Sequence, residues 1–540
     1  MRRPTVILII VICMIFASIF YFSRRNNVVT VMFINDFHGA FVANTTDSIP
    51  GAARLVAVMD SLRDTGDYPN MVVVSAGDNF GGSYFSNVSK GALIPMLFKR
   101  LGIQISAIGN HEFDNGVDFF ENTWTRRSNN WQMKYVGANV VKDNGTMESS
   151  PYIVTDAGSF KVAFIGLTSY NVTKQMDPSK YEGISFSSDY NKYIKQALSD
   201  INVQTANLKL LLTHIGTDMR DGKVVWMNDD KAHLLSTYPV DGIITSHSHR
   251  NVKGELNGTP ILQGKKSGMC IGYFKFDISD NNKLLDYGLI EVGMDGSKDS
   301  IMAHSVDSVL NVPEYNFRQV ISKTKNGLIH NPSNLEDWSS LGSYIAASFC
   351  YALDNAYDNG LVEGDFPSSL KDVPVIGCYN FKGIRNSLPK GEVSVLDVGE
   401  VIPFGGELYV YNLRGRDLKK ILNVSLNNDS YGWLQMNNLN VSYVVNEDSK
   451  LKVVKDVYYR KDNKLMEIED NTNLVLVASE FVAKGGDGYK LDGNSVFPDS
   501  KRIKAQMPSS TDAFITFLKY LDSKGVELSE NSSFRVLRVK

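Results

Sequence analysis

From residue 28 to about residue 275, short apolar runs alternate with amphipathic or polar stretches. The runs are VVTVMFI (28–34), MVVVSA (71–76), ISAIG (105–109), KVAFIGL (161–167), LKLLLT (208–213) and GIIT (242–245). Short apolar runs bounded by turn residues read as buried strands, and residues 52–62 and 94–101 between them read as helices. This alternation predicts an α/β domain. After residue 280 the pattern loosens into a charged stretch, 295–325, followed by a helix within 337–355, which reads as an interdomain connection. From about 370 onward, runs such as VPVIG, LYVYNL, VSYVV and LVLVAS mix with helices such as 512–524, predicting a second, α+β domain. The expected division is 1–27, 28–305, 306–355 (connection and helix) and 356–540. The sequence shows no internal repeat and no low-complexity tract.

Composition agrees with a globular chain: 540 residues, 43% hydrophobic and 21% charged, enough for two or three cores. The formal charge of −3 argues against a protein that coats a nucleic-acid polymer, while leaving room for a small anionic ligand. One segment departs from the globular pattern. Residues 5–22 form an unbroken apolar run between arginine pairs at 2–3 and 24–25. The run exceeds the usual signal-peptide core, just reaches spanning length and has no A-x-A-like site after it, favouring an uncleaved signal anchor. Arginines on both sides leave the positive-inside rule nearly tied. The expectation is a membrane-anchored protein with its folded part outside the cytoplasm, or a secreted one if the segment is cleaved.

Four cysteines are present. Cys13 lies in the apolar run, and Cys270, Cys350 and Cys378 lack metal-site spacing. In an oxidising compartment Cys350 and Cys378 could pair; buried free thiols are the other reading. Sequons at Asn44, Asn87 and Asn440 would matter only in a eukaryotic secretory pathway.

The candidate chemistry lies at the carboxyl ends of the predicted strands, in NDFHG (35–39), GDNF (77–80), GNHEFD (109–114), THIG (213–216) and SHSH (246–249). Ligands of open α/β sheets gather in the crevice outside those strand ends, so distant residues can converge there. One Asp-x-His is weak, since alternate strand residues merely share a face. Five such fragments in the same setting are specific. Histidine nitrogens and carboxylate oxygens suit two divalent ions of zinc, manganese, cobalt or iron, and one carboxylate, for which Asp78 is the candidate, must bridge them. Asn110 could instead merely cap a helix starting at His111. His233, His304 and His330 read as surface or packing residues, and Gly77, Gly81 and Gly109 as tight strand-to-loop turns.

In this order, the five blocks resemble the calcineurin-like metallophosphoesterase domain, and the NDFHG, GDNF and GNHEFD strings resemble its 5′-nucleotidase branch. The resemblance implies a four-layer α/β/β/α fold with Asp36, His38 and His249 on one metal, Asn110, His214 and His247 on the other, and Asp78 shared. It implies His111 and Asp114 as the catalytic pair and a metal-activated water as nucleophile. A cationic imidazole beside the metals would oppose charge on the phosphoryl group, and a carboxylate partner would raise its pKa.

The likeness continues through NFKGIR (380–385), PFGG (403–406) and FVAKGGDGY (481–489), which resemble the family's nucleotide-binding domain. It implies Phe404 and Phe481 around the base, Asp487 on ribose hydroxyls, and Asn380 with Arg385 on the ribose or phosphate side. Two departures stand out. No arginine occurs between Arg318 and Arg385, where relatives supply one, and Phe381 and Lys382 replace glycines. The expected function is removal of phosphate from nucleoside 5′-monophosphates. The alternatives are 2′,3′-cyclic phosphodiesterase with 3′-nucleotidase activity, nucleotide-sugar diphosphate hydrolysis, and a surface binding protein with a structural metal site.

Overall fold

The computed structural model describes residues 27–124, 133–143, 149–227, 229–363, 366–367, 369–461, 464–530 and 535–539. The apolar run at 5–22 lies outside them, and among the described residues no helix is long and apolar enough to cross a membrane.

In chain order the first unit contains β1 (Val28–Ile34), β2 (Met71–Ser75), β3 (Ile103–Ala107), β4 (Lys134–Val136), β5 (Tyr152–Ala157), β6 (Phe160–Thr168), β7 (Leu208–His214), β8 (Gly242–Ile244), β9 (Val252–Leu256), β10 (Thr259–Gln263), β11 (Cys270–Asp277) and β12 (Lys283–Glu291). They form two six-stranded sheets, ordered β12-β11-β1-β2-β3-β4 and β9-β10-β8-β7-β6-β5. Strand alternation explains why the sheets stack. Val29, Val31 and Phe33 of β1 point inward against Leu208, Leu210 and Leu212 of β7. Met32 and Ile34 point the other way, against helices α1 (Ala52–Thr65), α2 (Ile94–Leu101) and α3 (Ser300–Leu310). Ile165 and Leu211 cover the far face of the second sheet together with Ile194 of the helix Tyr190–Ser199. The result is the expected α/β/β/α sandwich.

The second unit is built on a mixed sheet ordered Gln435–Met436, Val375–Tyr379, Asn473–Ser479, Leu408–Arg414 and Arg502–Ile503. The helix expected within 337–355 runs Ser340–Asp358, and its Leu341, Ile345, Phe349 and Leu353 pack on one sheet face with Val375 and Val477. Ile376, Cys378 and Leu476 face the opposite side. This geometry overturns the suggested Cys350–Cys378 pairing. Cys350 lies on the helix side, its thiol near the Val375 carbonyl, whereas Cys378 points through the sheet, and both are free. Burial pushes the Cys350 thiol up to about 12, so it is inert at neutral pH.

The two units meet along the site crevice. Gly399 sits against Tyr84, where a Cβ would come within 2.1 Å of the ring. Phe85 N donates to Glu400 Oε1 at 2.8 Å, and Ser387 N and Oγ donate to the Asp47 carboxylate, both at 2.9 Å. The sequon residue Asn87 spends its amide on the Pro403 carbonyl. Glu400 carries the energetic tension of this interface. Desolvation pushes its carboxyl up to about 8 despite the Phe85 N–H. With the native value above the ordinary glutamate value of 4.5, the folded chain holds a proton that the unfolded chain has lost, and stability falls as pH rises through that window. E400Q, fixed in the neutral form, is expected to unfold at a higher temperature than the parent at pH 8 and no higher at pH 4.5, measured by scanning calorimetry.

Candidate active site

All the strand-end fragments but one deliver their side chains from a loop; His214 is the last residue of β7 itself. After β1, β2 and β8 the chain turns sharply, and Asp36, His38, Asp78, His247 and His249 all take left-handed backbone conformations, with φ between 49° and 72°. Such residues cost of order 1–3 kcal/mol each unless their surroundings hold them. Here the loops hold one another: Asp36 N donates to Gly77 O, His38 N to Asp78 O, and Ser267 N to Asp36 O. The central brace is Glu112. Its buried carboxylate accepts from Asp78 N (2.9 Å), Asn79 N (2.8 Å) and Gly109 N (2.7 Å). Burial and the Asp78 charge push it up to about 7.

Two glycines are required by proximity rather than by turn geometry. A Cβ at Gly109 would lie 2.2 Å from Asp78 Oδ1, and one at Gly81 would lie 2.2 Å from Asp114 Oδ2. Gly77, with φ 89°, is the turn glycine of the three.

Six of the seven expected ligands come together. Asp36, His38 and His249 present ligand atoms within 4.8 Å of one another, as do Asp78, His214 and His247, and Asp78 also meets His38 and His111. His38 Nε2 lies 2.9 Å from His249 Nε2, and His214 Nε2 lies 3.2 Å from Asp78 Oδ2 and 3.1 Å from His247 Nδ1. Outer nitrogens are tied off, His38 Nδ1 at Gly81 O and His214 Nδ1 at Ala76 O, which aims both Nε2 atoms inward. Asn110 makes no side-chain cap bond, and its buried Oδ1 has no hydrogen-bond partner in the protein.

Electrostatics divide the imidazoles. Burial drives His38 and His249 well below the usual histidine value and His247 down to about 3, leaving neutral rings with free lone pairs. Burial also opposes charge on His214, but the Asp78 carboxylate outweighs it and lifts the ring to about 9. His111 joins the centre through Asp78 and His38 and carries a carboxylate partner of its own. Its Nδ1 is 2.9 Å from Asp114 Oδ2, and Asp114 and Asp78 more than offset burial to raise its pKa.

The expected substrate residues line one cleft with Asn110, His111 and Asp114. The cleft has a volume of about 480 Å³ and runs from Asn110, His111 and Asp114 to Asn380, Phe404, Phe481 and Asp487. Asn380 Nδ2 donates to Asp487 Oδ2 at 2.7 Å. Phe404 and Phe481 both reach the cleft, but Phe404 lies parallel to the His111 ring, with centroids 5.7 Å apart. Arg385 reaches farther than the ribose side, placing Nη2 3.4 Å from His38 Nε2.

Several neighbours of the site carried no usable sequence signal. Gln175, on the 3₁₀ turn Tyr170–Gln175, meets His247 Nε2 at 3.1 Å. Lys266 puts Nζ 3.4 Å from the Arg385 carbonyl, and burial lowers it to about 8. Glu112 was visible inside GNHEFD, but nothing in the string marks it as the brace. His330 is indeed a packing residue, 4.7 Å from the Phe381 ring centroid, while His233 and His304 are exposed.

Comparison with known proteins agrees with this architecture. Residues 29–251 match the family described as calcineurin-like phosphoesterase, and residues 320–492 match the 5′-nucleotidase C-terminal domain. The chain is 24% identical to Endonuclease YhcR of Bacillus subtilis over 367 residues, 66% of this chain, and spans only 29% of that longer protein's length. It is 25% identical to a 5′-nucleotidase of Vibrio cholerae over 508 residues, 85% of each. The crystal structure of a 5′-nucleotidase precursor from Thermus thermophilus superposes with a TM-score of 0.75 at 23% identity, covering 95% of this chain and 99% of that one. That likeness speaks for the fold.

The brace generates a stability prediction. E112A would strand three buried N–H donors, and each unsatisfied group costs about 1–3 kcal/mol. The variant is expected to lose at least about 3 kcal/mol in urea unfolding. A loss within about 0.5 kcal/mol, the level of an ordinary surface change, would contradict the assigned role.

Proposed function

Because the chain belongs to the family that joins a calcineurin-like phosphoesterase domain to a 5′-nucleotidase C-terminal domain, we propose that it is a two-metal hydrolase releasing phosphate from nucleoside 5′-monophosphates. The observation that carries this reading is the cleft that brings Asn110, His111 and Asp114, at the edge of the histidine and carboxylate cluster, together with the Asn380, Phe404, Phe481 and Asp487 wall. Its volume falls in the range of small-ligand pockets.

The residues fit a metal pair. Imidazoles facing carboxylates, neutral at His38, His247 and His249, are the donor set that zinc, manganese, cobalt or iron would take, and the unpartnered Asn110 Oδ1 is a buried oxygen open to a cation. Asp36, His38 and His249 would hold one ion, and Asn110, His214 and His247 the other, with Asp78 between them. When bound, the ions would polarise the phosphoryl group and lower the pKa of a water.

The chain's own groups supply the rest. Imidazolium at His111, kept charged by Asp114, donates a hydrogen bond to a phosphoryl oxygen as negative charge builds there. Arg385 offers a second cation on the His38 side. Asp487, oriented by Asn380, accepts from ribose hydroxyls. Phe404 and Phe481 offer π-faces to the base, which favours a nucleotide without selecting among bases. We place the enzyme outside the cytoplasm, with residues 5–22 as its anchor, on the apolar run alone.

H111A is expected to lower kcat about 100-fold or more, within the span of a lost acid–base or charge-stabilising group, while the purified protein keeps its metal content by elemental analysis. D78A is expected to lose both activity and metal. Undiminished turnover in H111A would sink the proposed mechanism. A phosphate-release panel of AMP, 3′-AMP, 2′,3′-cyclic AMP and UDP-glucose should be dominated by AMP; preference for another member would redirect the substrate assignment.

A further inference from the structure

The replacement of two family glycines by Phe381 and Lys382 resolves into two separate jobs. Phe381 is buried, packed on His330 and close beneath Gly432, where a Cβ would sit 2.8 Å from its ring. It pins the turn Phe381–Gly383 to the domain core. Lys382, the next residue, lines the cleft.

Its ammonium has a defined seat. Nζ lies 4.7 Å from the centroid of the Tyr431 ring. Tyr431 hydrogen-bonds Gln175, and Gln175 meets the outer nitrogen of His247. Tyr431, Gln175 and His247 thus form a continuous wall from Lys382 to the His214–His247 end of the centre. The charged groups facing Lys382 are Asp487, Arg385 and Arg250, and its field reaches His247. Arg385 stands at the other end, beside His38. The centre is therefore flanked by Arg385 and Lys266 at the His38–His249 end and by Lys382 at the His247 end.

We propose that Lys382 is a phosphoryl-binding residue, supplying on the His247 side the positive charge that Arg385 supplies on the His38 side. The inference rests on the proposed phosphoester hydrolysis. An ammonium gives this charge as a point donor rather than as a bidentate fork, so the cleft grips the phosphoryl group by charge more than by shape.

The test is calorimetric titration of the Mn²⁺-loaded full chain with inorganic phosphate and, separately, with adenosine, for the parent, K382M and K382R. K382M is expected to weaken phosphate about 10-fold, the scale of one charge-assisted hydrogen bond, and to leave adenosine unchanged. K382R is expected to recover phosphate binding to within about threefold of the parent. Unchanged phosphate affinity in K382M would overturn the proposal. So would an equal loss for adenosine, which would show the ammonium serving Asp487 instead. Should K382M not fold, K382Q takes its place in the same comparison. Because binding is read without turnover, a parent that binds phosphate but hydrolyses no ester would count against the hydrolase reading and not against this one.

Discussion

Two buried carboxylates, Asp36 and Glu112, lie in the field of a third, Asp78, and the loops around them must answer that repulsion. Burial and the Asp78 charge push Asp36 up to about 6 and Glu112 to about 7, while Asp78 itself stays ionised against the His214 imidazolium. The relief comes from backbone N–H groups turned inward: Asp78, Asn79 and Gly109 toward Glu112, and His247 toward Asp36. Two of those donors, Asp78 and His247, sit in left-handed conformations at the strand ends. The site is thus a set of mutually braced turns whose side chains have little freedom left, as a preorganised polar site requires.

Much of this was legible in the sequence because periodicity and placement are local properties. The run VVTVMFI became a strand with Val29, Val31 and Phe33 on one face and Met32 and Ile34 on the other, as alternation demands. Asp78 and His214 were found because they follow apolar strands, and strand ends converge. Gln175 and Lys266 were not, because neither follows a strand end of the early pattern, and only the folded chain brings them to the centre. The choice between a Cys350–Cys378 pair and free thiols stayed open in the sequence for a related reason, and the free thiols are what the fold shows. Separation in sequence says nothing about which face of a sheet a thiol occupies, and Cys350 and Cys378 lie on opposite sides of one.

The second unit reaches directly into the centre of the first. Arg385 touches His38, and Phe404 stacks on His111, so both ends of the crevice are closed by residues more than 250 positions away in sequence. The same face is tied by Lys484 to Asp177 at 3.5 Å and by Ser387 to Asp47. On the proposed reading, a base using the Phe404 face that His111 covers would compete with a contact the protein already makes.

The left-handed ligands also limit what mutation can do here. At positive φ, aspartate, asparagine, histidine and glycine are tolerated, whereas β-branched side chains are strained. Single substitutions at Asp36, His38, Asp78, His247 or His249 can therefore exchange an oxygen donor for a nitrogen donor with the loop intact, but cannot drift through valine, isoleucine or threonine. The backbone thus acts as a filter on the evolutionary paths of the proposed metal centre: exchanges among aspartate, asparagine and histidine keep the loop, while steps through β-branched intermediates are strained.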